Sequence, residues 1–182
     1  QYALEWGFFT RCQWGEFDTA LYELERCWGK HPESPAPIGG GSRPKTDRVI
    51  RTLDDVHTAM DHYVESIPVD RVLATAMHIA TDIDFRPTSE AEMAEALKNR
   101  DQAGPNERDI YASYIAETFL RGLSRVADRV VFQFSFGAEP LPFETASRLS
   151  QRTIGQIGEM IGRHPGIQFQ CLLRSEEHTS EL

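Results

Sequence analysis

The sequence predicts an α/β protein, a partial (β/α)8 TIM-type barrel of about three parallel strands with flanking helices. Three observations favour this fold class. Apolar runs typical of strands alternate with amphipathic helical stretches in the order β-α-β-α-β. The stretches between strands are long enough for the crossovers that parallel pairing needs. Two strands carry polar residues along one face, which suits strands that line a barrel interior.

The composition is that of a globular chain and limits the class of partner. The chain has 182 residues, of which 40% are hydrophobic and 26% charged. The net charge of −9 argues against a nucleic-acid partner or an anionic membrane surface, because both need a basic face. The 3 cysteines show no CxxC spacing, which predicts a reducing, cytoplasmic location. No apolar run is as long as a membrane span.

The N-terminal segment, residues 1–47, is expected to be irregular or helical. Aromatic and aliphatic residues recur at helical spacing from Phe17 onward. Residues 29–47 contain several prolines and the run Gly39–Gly41, which together indicate a loop. The following residues, 48–173, are predicted to form the partial barrel domain.

Local signals define the first elements of this domain. Thr52 and Asp55 have the spacing of a capping box, and the helix that follows is predicted to end at Pro68. Residues 72–80 are nearly all apolar and indicate a buried strand. Ser89 marks the start of a second, short helix.

A long amphipathic helix and two more strands complete the predicted pattern. The helix has an apolar face made by Ile110, Tyr114, Ile115, Phe119, Leu123 and Val126. The next strand lies within residues 129–136 and stops at Gly137. Another helix is expected over roughly residues 143–163, followed by the last strand at 167–173.

Both later strands alternate between an apolar and a polar face. In one, the phenylalanines at 132, 134 and 136 alternate with Gln133 and Ser135. In the other, Cys171 belongs to the apolar set, which predicts a buried core position. The alternation favours a barrel with the polar residues inside. An edge strand with one solvated face is the alternative.

The last residues, "RSEEHTSEL" at 174–182, are polar and acidic. They follow an apolar strand with no Gly, Pro or Asn to turn the chain. The stretch is identical to the translation of a common short-read sequencing adapter. We therefore expect residues 174–182 to be an artefact and exclude them from the fold and the site.

The run "TLDDVHTAMDHYVESIPVDRVLATAMHI", the long helix and "RVVFQFSFGAEP" together resemble the middle of the uronate isomerases. The likeness extends over roughly residues 52–173 and ends near "QCL", where the family has a comparable "YCL". These proteins are (β/α)8 barrels related to the amidohydrolases. The resemblance implies that the chain is an internal fragment of such a barrel, inactive alone.

The resemblance also implies an activity for the full-length parent. Uronate isomerases are aldose–ketose isomerases that interconvert D-glucuronate with D-fructuronate and D-galacturonate with D-tagaturonate. A small sugar acid is thus the expected partner. The resemblance is also compatible with a homo-oligomer of the full-length parent. The family binds a divalent metal, usually zinc, through a His-x-His and an Asp near the two ends of the barrel. Neither part of the barrel is in this sequence, so no metal ligand is assigned here.

Two family motifs are altered in this chain. The family's Asp-His at a strand end is Met77-His78 here. Its Gln-x-His-x-Gly-Ala is Gln133-x-Ser135-x-Gly-Ala, and an Arg just beyond that motif is Pro140. These departures remove one acidic, one imidazole and one guanidinium group from the implied site.

The candidate site residues follow strand ends, where barrel enzymes place their chemistry. His78, Asp82 and Glu139 are the candidate catalytic residues, because acid–base catalysis needs titratable groups near the substrate. The candidate substrate-binding residues are Gln133 and Ser135, whose amide and hydroxyl groups suit sugar hydroxyls, and Arg86, whose guanidinium suits the substrate carboxylate.

Ordinary structural roles are the alternative to these assignments. His78 also suits a hydrogen-bonded core histidine, and Asp82 with its neighbour Asp84 a solvated loop. His57 and His62 are expected at the surface, and His164 at a helix end. A hydrolase of the amidohydrolase group and a non-catalytic α/β module that binds a ligand remain the alternative functions.

Overall fold

A computed structural model of the chain describes residues 2–5, 17–29, 48–79, 84–126, 130–136 and 151–173. Its elements in chain order are β1 (Tyr2–Glu5), α1 (Phe17–Trp28), α2 (Leu53–Glu65), β2 (Val72–Ile79), α3 (Glu90–Lys98), α4 (Pro105–Val126), β3 (Val131–Phe136), α5 (Gln151–Arg163) and β4 (Gln168–Leu173). A 3-10 turn at Arg100–Gln102 joins α3 to α4. Residues 30–47, 137–150 and 174–182, which include the expected loop and tail, lie outside the described residues.

The strands form one parallel sheet in the order β1-β2-β3-β4. The mixed α/β class and the three predicted strands are confirmed. The fourth strand, β1, was not predicted, because its 4 residues are too few to show an alternating pattern. It pairs with the edge of β2 that β3 leaves open. The spatial order therefore follows the chain order, without the reversal found in doubly wound sheets.

The predicted helix starts are confirmed by their hydrogen bonds. Thr52 accepts from the Asp55 N–H, and the Asp55 carboxylate accepts from the Thr52 N–H at 2.8 Å. Ser89 and Glu92 make the same reciprocal pair at α3. Such capping boxes satisfy donors that the first helical turn leaves without partners. The local sequence therefore determines where α2 and α3 begin.

All described helices contribute to one core on one side of the sheet. Phe132 and Phe134 of β3 are fully buried there, with their ring centroids 4.9 Å apart. Phe119 of α4 packs on Phe132 at 5.7 Å, and Phe169 of β4 stacks on Phe134 at 5.8 Å. Met160 of α5 belongs to the same cluster. Phe132 and Phe134 thus face the helices, as predicted.

Helix α4 is more buried than its amphipathic pattern predicts. Residues 110–116 are all buried, although only some of them belong to the predicted apolar face. Sheet residue Phe132 contacts one side of α4, and α2 packs on another. Val126, which was assigned to the apolar face, is 37% exposed because it is the last residue of the helix.

Gly122 allows α4 to approach α2 closely. A Cβ atom built at Gly122 lies 2.9 Å from Cγ2 of Val64, which is closer than real Cβ contacts. Valine is β-branched and stiff at χ1, so its methyl groups have little freedom to move away. The absence of a side chain at position 122 therefore sets the distance between the two helices.

A buried carboxylate connects three separate stretches of the chain. Glu25 of α1 is 2% exposed and accepts a hydrogen bond from the Ile50 N–H at 2.7 Å. The Arg100 guanidinium donates to both oxygens of Glu25 and, at 2.9 Å, to the Ile50 carbonyl. The pair ties α1 to the strand-like segment before α2 and to the turn after α3.

One predicted core residue is exposed. Cys171 lies in register with the buried Phe134, so it does belong to the apolar side of the sheet. It is nevertheless exposed, because β4 is the edge strand of the described sheet and has a neighbour on one side only. The alternation predicted its face correctly and its burial wrongly.

We expect Gly122→Ala to destabilise the protein by about 1 kcal/mol. Alanine has better helix propensity by about 1 kcal/mol, but overpacking against Val64 costs roughly 1–3 kcal/mol. Gly158→Ala in α5 is the matched control, because nothing lies within 4 Å of its added Cβ. That change should stabilise by about 0.5–1 kcal/mol. Urea denaturation measures both values, and equal stabilisation by the two substitutions would contradict the close approach.

We expect Glu25→Gln to lower the free energy of unfolding by about 3 kcal/mol. The amide keeps the shape and an acceptor for Ile50, but removes the negative charge beside Arg100 in a buried setting. Glu95→Gln is the control, because its ion pair with Lys98 is exposed and should contribute less than about 0.5 kcal/mol. A loss for Glu25→Gln as small as that of the control, again by urea denaturation, would rule out a structural role for the pair.

Candidate functional site

The sheet side opposite the helices carries the candidate polar residues. We call it the glutamine face and define it by two rows of register partners, Ala74–Val131–Gln168 and Ala76–Gln133–Gln170. Gln133 is half-buried, and Gln168 and Gln170 are exposed. Among the described residues, no helix covers this face, since α1 to α5 share the core on the other side. The face is therefore polar and exposed along β4, whereas Ala74 of β2 is buried.

His78 and Ser135 hold the register position that follows these two rows. The two residues are register partners in β2 and β3, and each stands two positions beyond the Ala76–Gln133 row. Both are one residue from the ends of their strands, at Ile79 and Phe136. The structure thus brings two of the predicted site positions together at the carboxyl end of the sheet.

Gln133 makes a direct hydrogen bond across the face. Its Nε2 donates to Oε1 of Gln170 over 2.7 Å. The bond crosses from β3 to β4 between residues 37 positions apart in the chain. Gln170 was not among the predicted site residues. The alternation of polar residues in the last strand indicated that Gln170 lies on the polar face. Its pairing with Gln133 follows only from the register of β3 against β4.

Two candidate catalytic residues cannot be placed. Asp82 and Glu139 both lie outside the described residues, in the stretches 80–83 and 137–150 that follow β2 and β3. Their assignment as acid–base groups stays a prediction from the sequence.

Arg86 is engaged by the cap of α3. Its Nη1 donates to Glu92 Oε1 at 2.8 Å and to the Pro87 carbonyl at 3.3 Å. Glu92 also accepts from the backbone and hydroxyl of Ser89, and these bonds, together with Arg86, lower the pKa of Glu92 to about 2. Arg86 would have to leave Glu92 in order to hold a substrate carboxylate.

Asp84 connects the segment after β2 to the last helix. Its carboxylate accepts from Arg152 Nη2 at 2.6 Å and from Gln156 Nε2 at 2.5 Å, both in α5. Its backbone carbonyl accepts from the Ser113 hydroxyl of α4. Asp84 therefore has a structural role in which one loop residue joins two helices.

The other histidines that the structure describes have structural partners or are exposed. His57, which was expected at the surface, is half-buried, and its Nε2 lies 2.6 Å from the Tyr114 hydroxyl between α2 and α4. Burial, with a contribution from Glu90, raises the pKa of Tyr114. His62 is exposed, as predicted. His164 ends α5, and its Nε2 also bonds Glu117 of α4 at 2.7 Å.

Within the described part of the chain, no group of three or more His, Cys, Asp or Glu residues is placed to hold a metal ion. The same residues include no helix that is both long and apolar enough to cross a membrane.

No protein-family model matches this chain, and no curated protein matches it either. The likeness to the uronate isomerases is therefore a hypothesis that depends on the sequence motifs and on the fold.

We expect the Glu92 carboxyl to titrate near pH 2 in a carbon-detected NMR titration. Because the pKa is lowered on folding, the cap stabilises fully above the unfolded value near 4.5 and loses this contribution as the pH falls toward 2. Ser89→Ala and Arg86→Gln should each raise the midpoint, because they remove the Ser89 hydroxyl bond and the Arg86 guanidinium, whereas the Ser89 backbone N–H bond remains in both variants.

Ser124→Ala is the control for this titration, since it changes an exposed serine in α4 that bonds only the Arg121 carbonyl among the described residues. An ordinary Glu92 midpoint in the unmodified protein would show that neither Ser89 nor Arg86 holds the carboxylate.

Proposed function

We propose that this chain is part of a (β/α)8 barrel enzyme similar to the uronate isomerases. The proposed reaction interconverts D-glucuronate with D-fructuronate, and D-galacturonate with D-tagaturonate. The proposal rests on how the sheet is wound, that is, on the order of its strands and the side on which the helices pack. Its parallel strands follow the chain order, the helices pack on one side, and polar residues occupy the other.

This winding supports a barrel over a doubly wound sheet. In a doubly wound fold the strand order reverses and helices cover both faces. In a (β/α)8 barrel every crossover lies outside, so the inner face of each strand is free to line a site. Four strands cannot close such a barrel, which needs about eight. The chain would therefore supply one part of the closed sheet.

The site chemistry of the proposal uses groups at the carboxyl ends of the strands. Isomerisation removes the proton at C2 of the open-chain aldose and delivers a proton to C1, while the O2 proton leaves as the C2 carbonyl forms. The C1 carbonyl oxygen gains a proton and becomes a hydroxyl, so atoms and charge balance through an enediol. His78 is proposed to transfer one of these protons, with Asp82 and Glu139 as further acid–base groups. Gln133 and Ser135 are proposed to bind hydroxyls.

No step is assigned to a metal in this chain. The implied ligands, a His-x-His and an Asp, belong to barrel strands outside the sequence, and the described residues contain no ligand cluster of their own. The proposed role of this part of the barrel is to bind, orient and exchange protons.

We expect the complete gene product, recovered with reads that span both ends of this sequence, to convert D-glucuronate to a ketose. In D2O the enediol route should also incorporate deuterium at C1 of the product, which proton NMR measures. His78→Asn should lower kcat by roughly 100-fold or more if the residue transfers a proton. His62→Asn is the control, because His62 is exposed on α2.

An active enzyme whose His78→Asn variant keeps its full kcat would remove His78 from the chemistry. A complete gene product that neither isomerises uronates nor exchanges the C2 proton would reject the proposed function. Hydrolysis of a lactone or amide by that product would then favour the hydrolase alternative.

A further inference from the structure

We infer that Gln170 is a ligand-positioning residue, and that the Gln133–Gln170 pair binds one hydroxyl group of a sugar acid. The inference rests on the proposed function for the class of ligand. It adds a residue that the motifs did not indicate, and it assigns the two side chains a joint role.

The direction of the hydrogen bond determines what the pair offers. Gln133 donates through Nε2 and Gln170 accepts through Oε1. The Gln133 Oε1 acceptor and the Gln170 Nε2 donor remain, and no hydrogen bond to another described residue uses either atom. The second N–H of Gln133 Nε2 and the second lone pair of Gln170 Oε1 also remain, so the pair offers donors and acceptors together. A hydroxyl group can both donate and accept, so it complements the pair, whereas a carboxylate can only accept.

The neighbouring strand leaves room beside this pair. The register partner of Gln133 in β2 is Ala76, whose methyl group is only partly buried. A small side chain at this position leaves the flank of Gln133 open to a ligand. The preceding row, Ala74–Val131–Gln168, has a valine where this row has Gln133, so it offers no paired amides. The donor–acceptor pair is therefore confined to one row of the glutamine face.

The pair lies one row before His78 and Ser135. Two residues along a strand correspond to about 7 Å. A six-carbon sugar acid extends over a comparable distance, so one of its hydroxyls can meet the pair while another part of the molecule lies at the His78 row. The pair would thus set the position of the ligand along the strands.

The test uses the full chain labelled with ¹⁵N, in which the side-chain amides of Gln133, Gln168 and Gln170 give separate NMR signals. D-glucuronate is the probe, and acetate supplies a carboxylate without hydroxyls. We expect the Gln133 and Gln170 signals to shift with glucuronate and not with acetate. Gln170→Met should weaken glucuronate binding about tenfold, the effect of losing one or two hydrogen bonds.

Gln168→Met is the matched control, because Gln168 lies in the same strand and on the same face but in the row without the pair. It should bind glucuronate as the unmodified chain does. Both substitutions change exposed side chains, so neither should alter the free energy of unfolding measured in urea by more than about 0.5 kcal/mol.

The outcomes separate this inference from the proposed function. Glucuronate shifts at Gln133 and Gln170, together with weaker glucuronate binding at Gln133 in the Gln170→Met variant, support the inference, even if the complete gene product has no isomerase activity. Absent shifts, or equal binding by the Gln170→Met and Gln168→Met variants, overturn it, even if that product is an active isomerase. Equal shifts with acetate also overturn it, since the pair would then not distinguish hydroxyls.

Discussion

The structure depends on the burial of one side of its parallel sheet by aromatic side chains. Phe132 and Phe134 are fully buried, and they contact Phe119 from the helix layer and Phe169 from the next strand. Burying a phenylalanine contributes roughly 1.5–3 kcal/mol, so this cluster is a large share of the stability available to such a domain. Each helix must pack on this side, and the opposite side is left to glutamine and alanine. The accessible polar face is thus a consequence of where the phenylalanines are.

Three carboxylates then hold the helix layer in place. Each accepts hydrogen bonds from elements that are distant in the chain. Glu25 accepts from the segment before α2 and from the turn after α3. Asp84 accepts from the first turns of α5, and Glu117 accepts from its last residues. Charged hydrogen bonds that are partly shielded from water are stronger than exposed ones. Glu117 and Asp84 together orient α5, and α5 leads directly into β4. The position of Gln170 opposite Gln133 therefore depends on contacts made on the far side of the sheet.

The sequence predicted those features whose signals are local. The capping boxes at Thr52 and Ser89 and the alternating phenylalanines are each contained in a few consecutive residues, and each is confirmed. Features that need a distant partner were not predicted. Glu25 has the pattern of a solvated helical charge until Arg100, 75 positions away, is placed beside it. Gln170 is one of two similar glutamines, and only the register of β3 against β4 distinguishes it from Gln168. His57 likewise needs Tyr114 of another helix.

The register of β3 against β4 also bears on the function of the polar face, because it pairs Gln133 with Gln170. A solvated edge strand would explain polar residues on β4 alone, because nothing need oppose them. It does not explain why the half-buried Gln133, on a strand with neighbours on both sides, shares the polar pattern and bonds directly to Gln170. Strands within a sheet are usually apolar wherever they are covered, so a polar residue on an inner strand indicates a face in contact with water or with a polar ligand. The Gln133–Gln170 bond therefore distinguishes this face from that of a solvated edge strand.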